Sequence, residues 1–280
     1  NSGYPINGSA SDPALGYDPA VFGNPAAKWE ATTSNNIGLD GSFANQKLFI
    51  ELDLWNRKTT DLLLTVPVIY SAGDAGAPAV NIGEMYNEGI DFAVNYTEEI
   101  GDIRLSLGGN ISTYRNEIIA LDEFDTPIFG SNRRVPALTR TSVGDPISSL
   151  YGFEVEGIFQ SQAEADAWAP YGTTGYNAPG KFKYADINGD GEISDADRTI
   201  IGNPHPDFTY GINLNIAYKN LNLNVFGNGV QGNDVYNYVR YFADFNTFQG
   251  NRSVRALREA WQPSNPSAPR SQWTAANPDA

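Results

Sequence analysis

Asp186, Asn188 and Asp190 stand at alternate positions, followed by Gly191, Glu192, Ile193 and, five residues beyond that glycine's neighbour, Asp197. Calcium takes six to eight hard oxygen ligands, and a twelve-residue loop supplies them from positions 1, 3, 5, 7 and 12. Here those positions are Asp186, Asn188, Asp190, the Glu192 carbonyl and Asp197. Gly191 stands where the loop turns sharply, and Ile193 where such loops carry an apolar anchor. Asp at the last position, in place of the usual Glu, is the dockerin-like variant. The spacing predicts a Ca2+ site, and its setting predicts a structural rather than a sensing one. A sensor needs flanking helices and a paired second loop. Instead "GKFKYA" before Asp186 reads as a strand, and "DRTIIGNPHPDF" leads into another. The calcium-type segment spans 184–208.

Other chemistry is thinly represented. His205 is the only histidine and there is no cysteine, which removes thiolate and multi-histidine metal sites. His205 sits in the Pro-locked "NPHPDF" and reads as structural. Carboxylate pairs such as Glu98–Glu99, Asp122–Glu123 and Glu154–Glu156 have the composition of a glycosidase pair, but 33 acidic residues make chance pairs common. No catalytic residues are assigned, and an enzyme is not expected. Trp168, Tyr171 and Tyr176 are the candidate ligand contacts; Tyr241, Phe242, Phe245 and Trp273 share their loop-borne aromatic character.

The elements that carry these loops are strands. Leu48, Ile50, Leu52 and Leu54 share one face; so do Ile90, Phe92, Val94 and Tyr96. The alternation recurs from Ile103 to Ile111, from Phe208 to Tyr218 and from Leu221 to Val225, with Asn, Ser, Gly, Arg and Asp on the other side. Lys28–Phe43 alternates weakly. Seven to nine strands of about 9–11 residues are predicted. Short connections at Glu98–Asp102 and Lys219–Asn220 predict hairpins. Helices are predicted at "SQAEADAW", with Ser161 and Glu164 as a capping box, and at "SVRALREAW", with Val254, Leu257 and Trp261 on one face. A soluble sandwich shows the same alternation as a membrane barrel, which turns its apolar side to lipid. Tyr96, Tyr114, Phe208, Tyr210 and Tyr218 near strand ends favour the barrel's aromatic girdles. The net charge of −15 argues against a nucleic-acid partner.

Several segments together resemble SusC/RagA-type TonB-dependent transporters of Bacteroidetes outer membranes. They are "GNPAAKWEATTSNNIGLD" (Gly23–Asp40), "RKTTDLLL" (Arg57–Leu64), "NIGEMYNEGIDF", "GFEVEGIFQSQAEAD" (Gly152–Asp166) and "GKFKYADINGDGEISDADRTIIGNPHPDFTYGIN", then "VQGNDVYN" (Val230–Asn237) and "AWQPSNPSAPR" (Ala260–Arg270), in the family's order. The resemblance implies an all-β, antiparallel transmembrane β-barrel with long extracellular loops and short helices, residues 1–280 being barrel region without the family's N-terminal plug. It also implies outer-membrane import of oligosaccharides or peptides, a SusD-like surface lipoprotein as partner, and energy from the TonB complex acting through the plug. The alternative reading is a secreted soluble β-domain that uses the dockerin-like loop in carbohydrate binding or adhesion.

Overall fold

The computed structural model describes residues 3–4, 14–15, 23–65, 78–130, 137–172, 175–244 and 253–265. In chain order the strands are β1 (Gly3–Tyr4), β2 (Ala14–Leu15), β3 (Ala31–Phe43), β4 (Leu48–Thr60), β5 (Leu63–Thr65), β6 (Ala79–Asn81), β7 (Glu84–Ile100) and β8 (Ile103–Ala120). They continue with β9 (Ile128–Phe129), β10 (Thr139–Thr141), β11 (Ser149–Phe153), β12 (Val155–Ile158), β13 (Phe182–Tyr184), β14 (Arg198–Gly202), β15 (Phe208–Tyr218) and β16 (Leu221–Gln231). The helices are α1 (Gln162–Asp166), α2 (Tyr238–Asp244) and α3 (Val254–Glu259). The chain divides into two units, residues 1–129, 141–147 and 205–232 in the first and the remainder in the second.

The first unit is built on an open six-stranded sheet, ordered β16-β15-β8-β7-β4-β3. Every neighbouring pair is antiparallel. Its register puts the apolar halves of all six strands on one face. Tyr210 faces Ile111, Ile111 faces Phe92, Phe92 faces Leu52 and Leu52 faces Leu39. Three residues along, Asn213 faces Gly108 and Gly108 faces Asn95 on the opposite side. The apolar face lies open: Leu39 is 69% exposed, Ile212 55% and Leu107 46%. A sandwich would cover that face with a second sheet and leave the polar side in water. Here none of the described residues does so, and the profile is the one a membrane barrel shows to lipid.

Three hairpin turns sit at one end of the sheet, at Ala44–Lys47, Gly101–Asp102 and Lys219–Asn220. The connections at the other end are long, running from β4 to β7 and from β8 to β15. Short turns on one side and long loops on the other are the outer-membrane arrangement. Both hairpins read from the sequence are present. Among the described residues the strands differ from expectation in number and length: six long ones, of 11 to 18 residues, stand where seven to nine of about 9–11 are expected. β7 and β8 are the longest because their ladder continues past the apolar stretch through Glu88, Tyr86, Arg115 and Glu117, where the side chains are polar but the backbone still pairs.

The sequence motif "NIGEMYNEG" fastens this sheet. Asn81 donates from Nδ2 to the Lys28 and Asp61 carbonyls and accepts the Lys28 N–H on Oδ1. Asn87 accepts from Asn116 Nδ2 at 2.7 Å, and Asn116 Oδ1 takes the Ile147 N–H at 2.8 Å. Gly89 lies under the Trp55 indole. A Cβ there would come within 2.5 Å of both the ring and the Thr113 carbonyl. The glycine is thus required for Trp55 to lie across β7.

In the second unit β11 pairs with β10 and β14, and β12 pairs with β13. Ala137, Phe159, Ala165, Ala185, Ile193, Ala256, Ala260 and Trp261 form its small buried apolar set. Ser161 caps α1 by accepting the Glu164 N–H, but Glu164 reaches back to the Gln160 N–H rather than to that of Ser161, one residue earlier than a capping box requires. The face predicted for α3 is not the one used. Val254 points to solvent, Ala256 and Ala260 are buried, and Trp261 lies beyond the helix, where Ala260 turns extended and lets the indole N–H donate to Gln160 Oε1 at 2.9 Å. The Leu257 side chain lies outside the described residues. α2 has no counterpart in the sequence reading, since its run of aromatics lacks a clear helical stripe.

Replacing Gly89 with Ala should displace Trp55 or the β7 backbone and lower the unfolding free energy of the protein in detergent by about 1–3 kcal/mol. Gly227→Ala, in β16 with no atom within 4 Å of the added Cβ, should leave it unchanged. Denaturant midpoints followed by heat-modifiable mobility would check the pair.

Candidate functional site

The calcium-type segment folds as a self-supporting loop between β13 and a single 3-10 turn at Asp195–Asp197. Asp186 accepts the N–H of Gly189 on Oδ1 at 2.7 Å and that of Gly191 on Oδ2 at 2.9 Å. Asn188 Oδ1 accepts the Asp190 N–H, and Asp190 Oδ1 the Glu192 N–H, each at 2.9 Å. Asn188 Nδ2 donates to Asp190 Oδ2. Short polar side chains that accept from a backbone two or three residues on are the physical reason for this residue choice in a tight loop. Both Gly189 and Gly191 have positive φ, 73° and 85°, so the loop turns left-handed twice.

Asp197, at the twelfth position, is fully buried and holds the loop closed. Its Oδ1 takes the Ile187 and Asn188 N–H groups at 3.0 and 3.3 Å, and Oδ2 takes the Ser194 N–H at 2.8 Å. Ser194 and Asp197 thereby complete a capping box around the 3-10 turn. The Ser194 N–H, the largest influence, and the other two donors hold this carboxyl below the ordinary Asp range against the opposing effect of burial.

The anchor Ile193 is 1% exposed and bridges in parallel to Tyr171, its N–H donating to the Pro170 carbonyl and its carbonyl accepting from Gly172. A sensor's loop would pair there with a second loop of its kind; this one pairs with the segment after α1. That bridge joins the loop to the aromatic residues singled out in the sequence. Tyr171 lies 4.6 Å from Tyr176 and 5.6 Å from Tyr184, centroid to centroid. Tyr176 donates to the Tyr184 hydroxyl, and Trp168 Nε1 to the Tyr184 carbonyl at 2.9 Å. Lys183 lies 3.8 Å from the Trp168 ring centre. Trp168, Tyr171 and Tyr176 are therefore gathered into one half-buried cluster around Tyr184. Tyr241 and Phe242 belong instead to a separate stack with Tyr236 and Tyr238. Phe245 and Trp273 lie outside the described residues.

All four side-chain donors named from the sequence meet in this loop, together with Glu192, and all are hard oxygen donors suited to Ca2+ in kind. Their oxygens are engaged with backbone N–H groups, and among the described residues no three of Asp, Glu and His converge closely enough to hold a metal ion. The sequence reading missed two structural parts, the second left-handed glycine and the Ile193–Tyr171 bridge. A second Gly within "NGDG" was the available signal for the first; the bridge has none, being a long-range contact.

His205 sits in the first unit as a link. Its Nδ1 lies 2.9 Å from the Tyr114 hydroxyl and its Nε2 3.1 Å from the Ile147 carbonyl. A carbonyl only accepts, so Nε2 carries the proton and Nδ1 accepts from Tyr114. Asp122 likewise serves its turn, accepting the Phe124 and Thr126 N–H groups.

A lipid-facing sheet with short turns at one end and long, internally braced loops at the other defines a class, the outer-membrane β-barrel. Comparison with known proteins places the chain within it. Residues 2–231 match the family model "TonB dependent receptor-like, beta-barrel", and the chain belongs to that family. It is 32% identical over 248 residues to TonB-dependent receptor P3 of Formosa agariphila, covering 87% of this chain and 24% of that receptor. It is 29% identical over 250 residues to TonB-dependent receptor SusC of Bacteroides thetaiotaomicron, covering 85% and 22%. Among solved structures, the RagAB peptide transporter superposes with a TM-score of 0.73 at 25% identity, over 95% of this chain and 28% of that one. The chain thus spans about a quarter of the length of the curated relatives it matches.

Asp197→Ala would leave three loop N–H groups without their acceptor. Protease cleavage within 186–197 should speed up by roughly tenfold, because exposure of the loop follows its local opening free energy. Asp195→Ala should leave cleavage unchanged. Since the folded Asp197 carboxyl is depressed, the brace is fully present above the ordinary Asp value of about 3.9 and is lost as pH falls through the lower folded value. Pepsin cleavage of this segment should therefore rise only at the acid end of a titration.

Proposed function

We propose that this chain forms wall and extracellular loops of an outer-membrane TonB-dependent importer of oligosaccharides or peptides. In this reading it is the SusC-like component of a complex with a SusD-like surface lipoprotein, and the TonB complex drives it through the plug. The observation that carries the reading is the sheet's inverted profile, an exposed apolar face backed by a polar one rich in Asn, Ser and Gly. A polar inner wall is compatible with a wet lumen that passes hydrophilic cargo, and an apolar outer wall with lipid. Family membership and the names of the relatives support import; oligosaccharide or peptide cargo is carried over from the resemblance.

Within this reading the 184–208 loop braces an extracellular connection. We propose that Asp186, Asn188, Asp190, the Glu192 carbonyl and Asp197 hold one structural Ca2+ there. The ion would supply a charge that binds acidic side chains together, while the backbone N–H groups already orient them. Trp168, Tyr171 and Tyr176, half-exposed and gathered around Tyr184, would meet a sugar or an apolar peptide side chain with the ring surface that Lys181 and Lys183 leave uncovered.

A tagged full-length transporter isolated from its host should bring a SusD-like lipoprotein with it, and uptake of labelled oligosaccharide or peptide should stop when TonB is disrupted. Uptake that continues without TonB contradicts the proposal. For the ion, chelation should open the 186–197 segment to protease while the strands stay folded; identical cleavage maps with and without calcium rule it out.

A further inference from the structure

Glu98 is out of place. On the apolar side of the sheet, β7 contributes Ile90, Phe92, Val94, Tyr96, Glu98 and Ile100. β4 contributes Leu48 to Leu54, β8 Ile103 to Ile111, β15 Tyr210 to Tyr218 and β16 Leu221 to Val225 at alternate positions. Within that stretch Glu98 is the one charged residue. It lies one row in from the turns, where Ile100, Ile103, Tyr218 and Leu221 form a last apolar row beyond it. A carboxylate on a lipid-facing surface is costly unless it is paired or reaches the interface.

Glu98 is paired. Lys47 Nζ, from the β3–β4 turn, reaches its two oxygens at 2.7 and 2.9 Å, and the Tyr96 hydroxyl donates to Oε2 at 2.8 Å. The carboxylate side chain is 19% exposed and the lysine 45%, so both ends of the pair still open outward. Its depth is also fixed. Ten residues separate Glu98 from Glu88, the next charged side chain on that face of β7. At ~3.4 Å per residue that is about 34 Å along the strand, and a tilt of ~35–45° leaves about 24–28 Å along the membrane normal. The apolar band of an outer-membrane barrel is about 25 Å tall. Glu88 pairs in register with Asn56 and Arg115, and Asn56 with Asn35, a polar row at the long-loop boundary. Glu98 and Lys47 then stand at the opposite boundary, on the short-turn side, with Tyr96, Phe43 and Tyr218 as interfacial aromatics.

We propose that Lys47, Glu98 and Tyr96 form a binding site for the headgroup of a zwitterionic phospholipid, its phosphate on the Lys47 ammonium and its amine on the Glu98 carboxylate. The inference rests on the membrane-wall reading above. A fixed cation and anion side by side at headgroup depth match a headgroup that carries both charges, and the apolar rows between Glu98 and Glu88 receive the acyl chains. A headgroup bearing phosphate alone would meet Glu98 as a repulsive neighbour.

The test uses the full-length transporter, purified in detergent and relipidated with phosphatidylethanolamine or phosphatidylglycerol, with retained lipid counted by native mass spectrometry. Wild type should retain phosphatidylethanolamine in preference to phosphatidylglycerol, and a Lys47→Met/Glu98→Gln double variant should lose that preference. Retention should fall by about tenfold, the effect of losing a charge-assisted hydrogen bond or two. Tyr96→Phe, which keeps the charge pair, should give a smaller loss, and heat-modifiable mobility identifies the variants that are folded. Equal retention of phosphatidylethanolamine by wild type and a folded double variant overturns the site while leaving the membrane wall intact. A transporter that is soluble without detergent and retains no lipid of either kind overturns the wall itself.

Discussion

The ladder between six antiparallel strands is the interaction on which the rest depends. Each backbone N–H and C=O must find a partner before a strand can face hydrocarbon, and pairing between neighbours supplies it along β15, β8, β7 and β4. The same register decides what each side chain sees. Shifted by one residue, β8 would turn Ile111 and Leu107 to the polar side and Asn110 and Arg104 to lipid. Register is therefore pinned repeatedly, by three short turns at one end, by Gly89 under Trp55, and by the Asn87–Asn116–Ile147 chain near the other. β3 and β16 keep one edge each without a partner strand among the described residues, as strands of a larger closed sheet would.

Much of this was legible because period two is a strong signal when it lasts. The alternation from Ile90 to Tyr96, or from Phe208 to Tyr218, leaves no other element that fits. What alternation could not supply was the direction of the apolar face, since a sandwich and a barrel share the pattern. The exposure of Leu39, Leu107 and Ile212 resolves it, and exposure is a property of packing rather than of local sequence. β3 was the weakest strand in the sequence because Thr, Ser, Asn and Gly fill much of it. It is held by β4 and by side-chain pairs such as Asn35–Asn56 and Asn36–Asp53 instead. Helix α3 shows the opposite limit. Its i, i+3, i+7 stripe was genuine in the sequence, but the helix ends at Glu259 and frees Trp261 to pack against a residue a hundred positions away.

The loop at 186–197 shows how far a motif can be read. Ligand types, the turn glycine and the apolar anchor all follow from spacing, and all occupy one loop in the structure. Its role follows from its surroundings. Strands rather than helices flank it, Ile193 bridges to Tyr171, and Asp197 ties both ends to the backbone. Such a loop is tied to its own backbone at both ends. The aromatic cluster around Tyr184 is fixed by the same bridge, so the loop and the rings are one small rigid feature on a chain segment that would otherwise have little core of its own.

The central claim is that one face of the sheet meets lipid and the other a wet lumen. This chain has no cysteine, so single thiols introduced along β8 and β15 report each position separately. Fluorophores at Leu107, Ile111 and Ile212 should be quenched by nitroxide-labelled acyl chains and be slow toward charged, water-borne thiol reagents. Those at Ser106, Asn110 and Asn213 should show the reverse. Equal quenching on the two faces, or quenching of the Asn positions alone, would contradict the account.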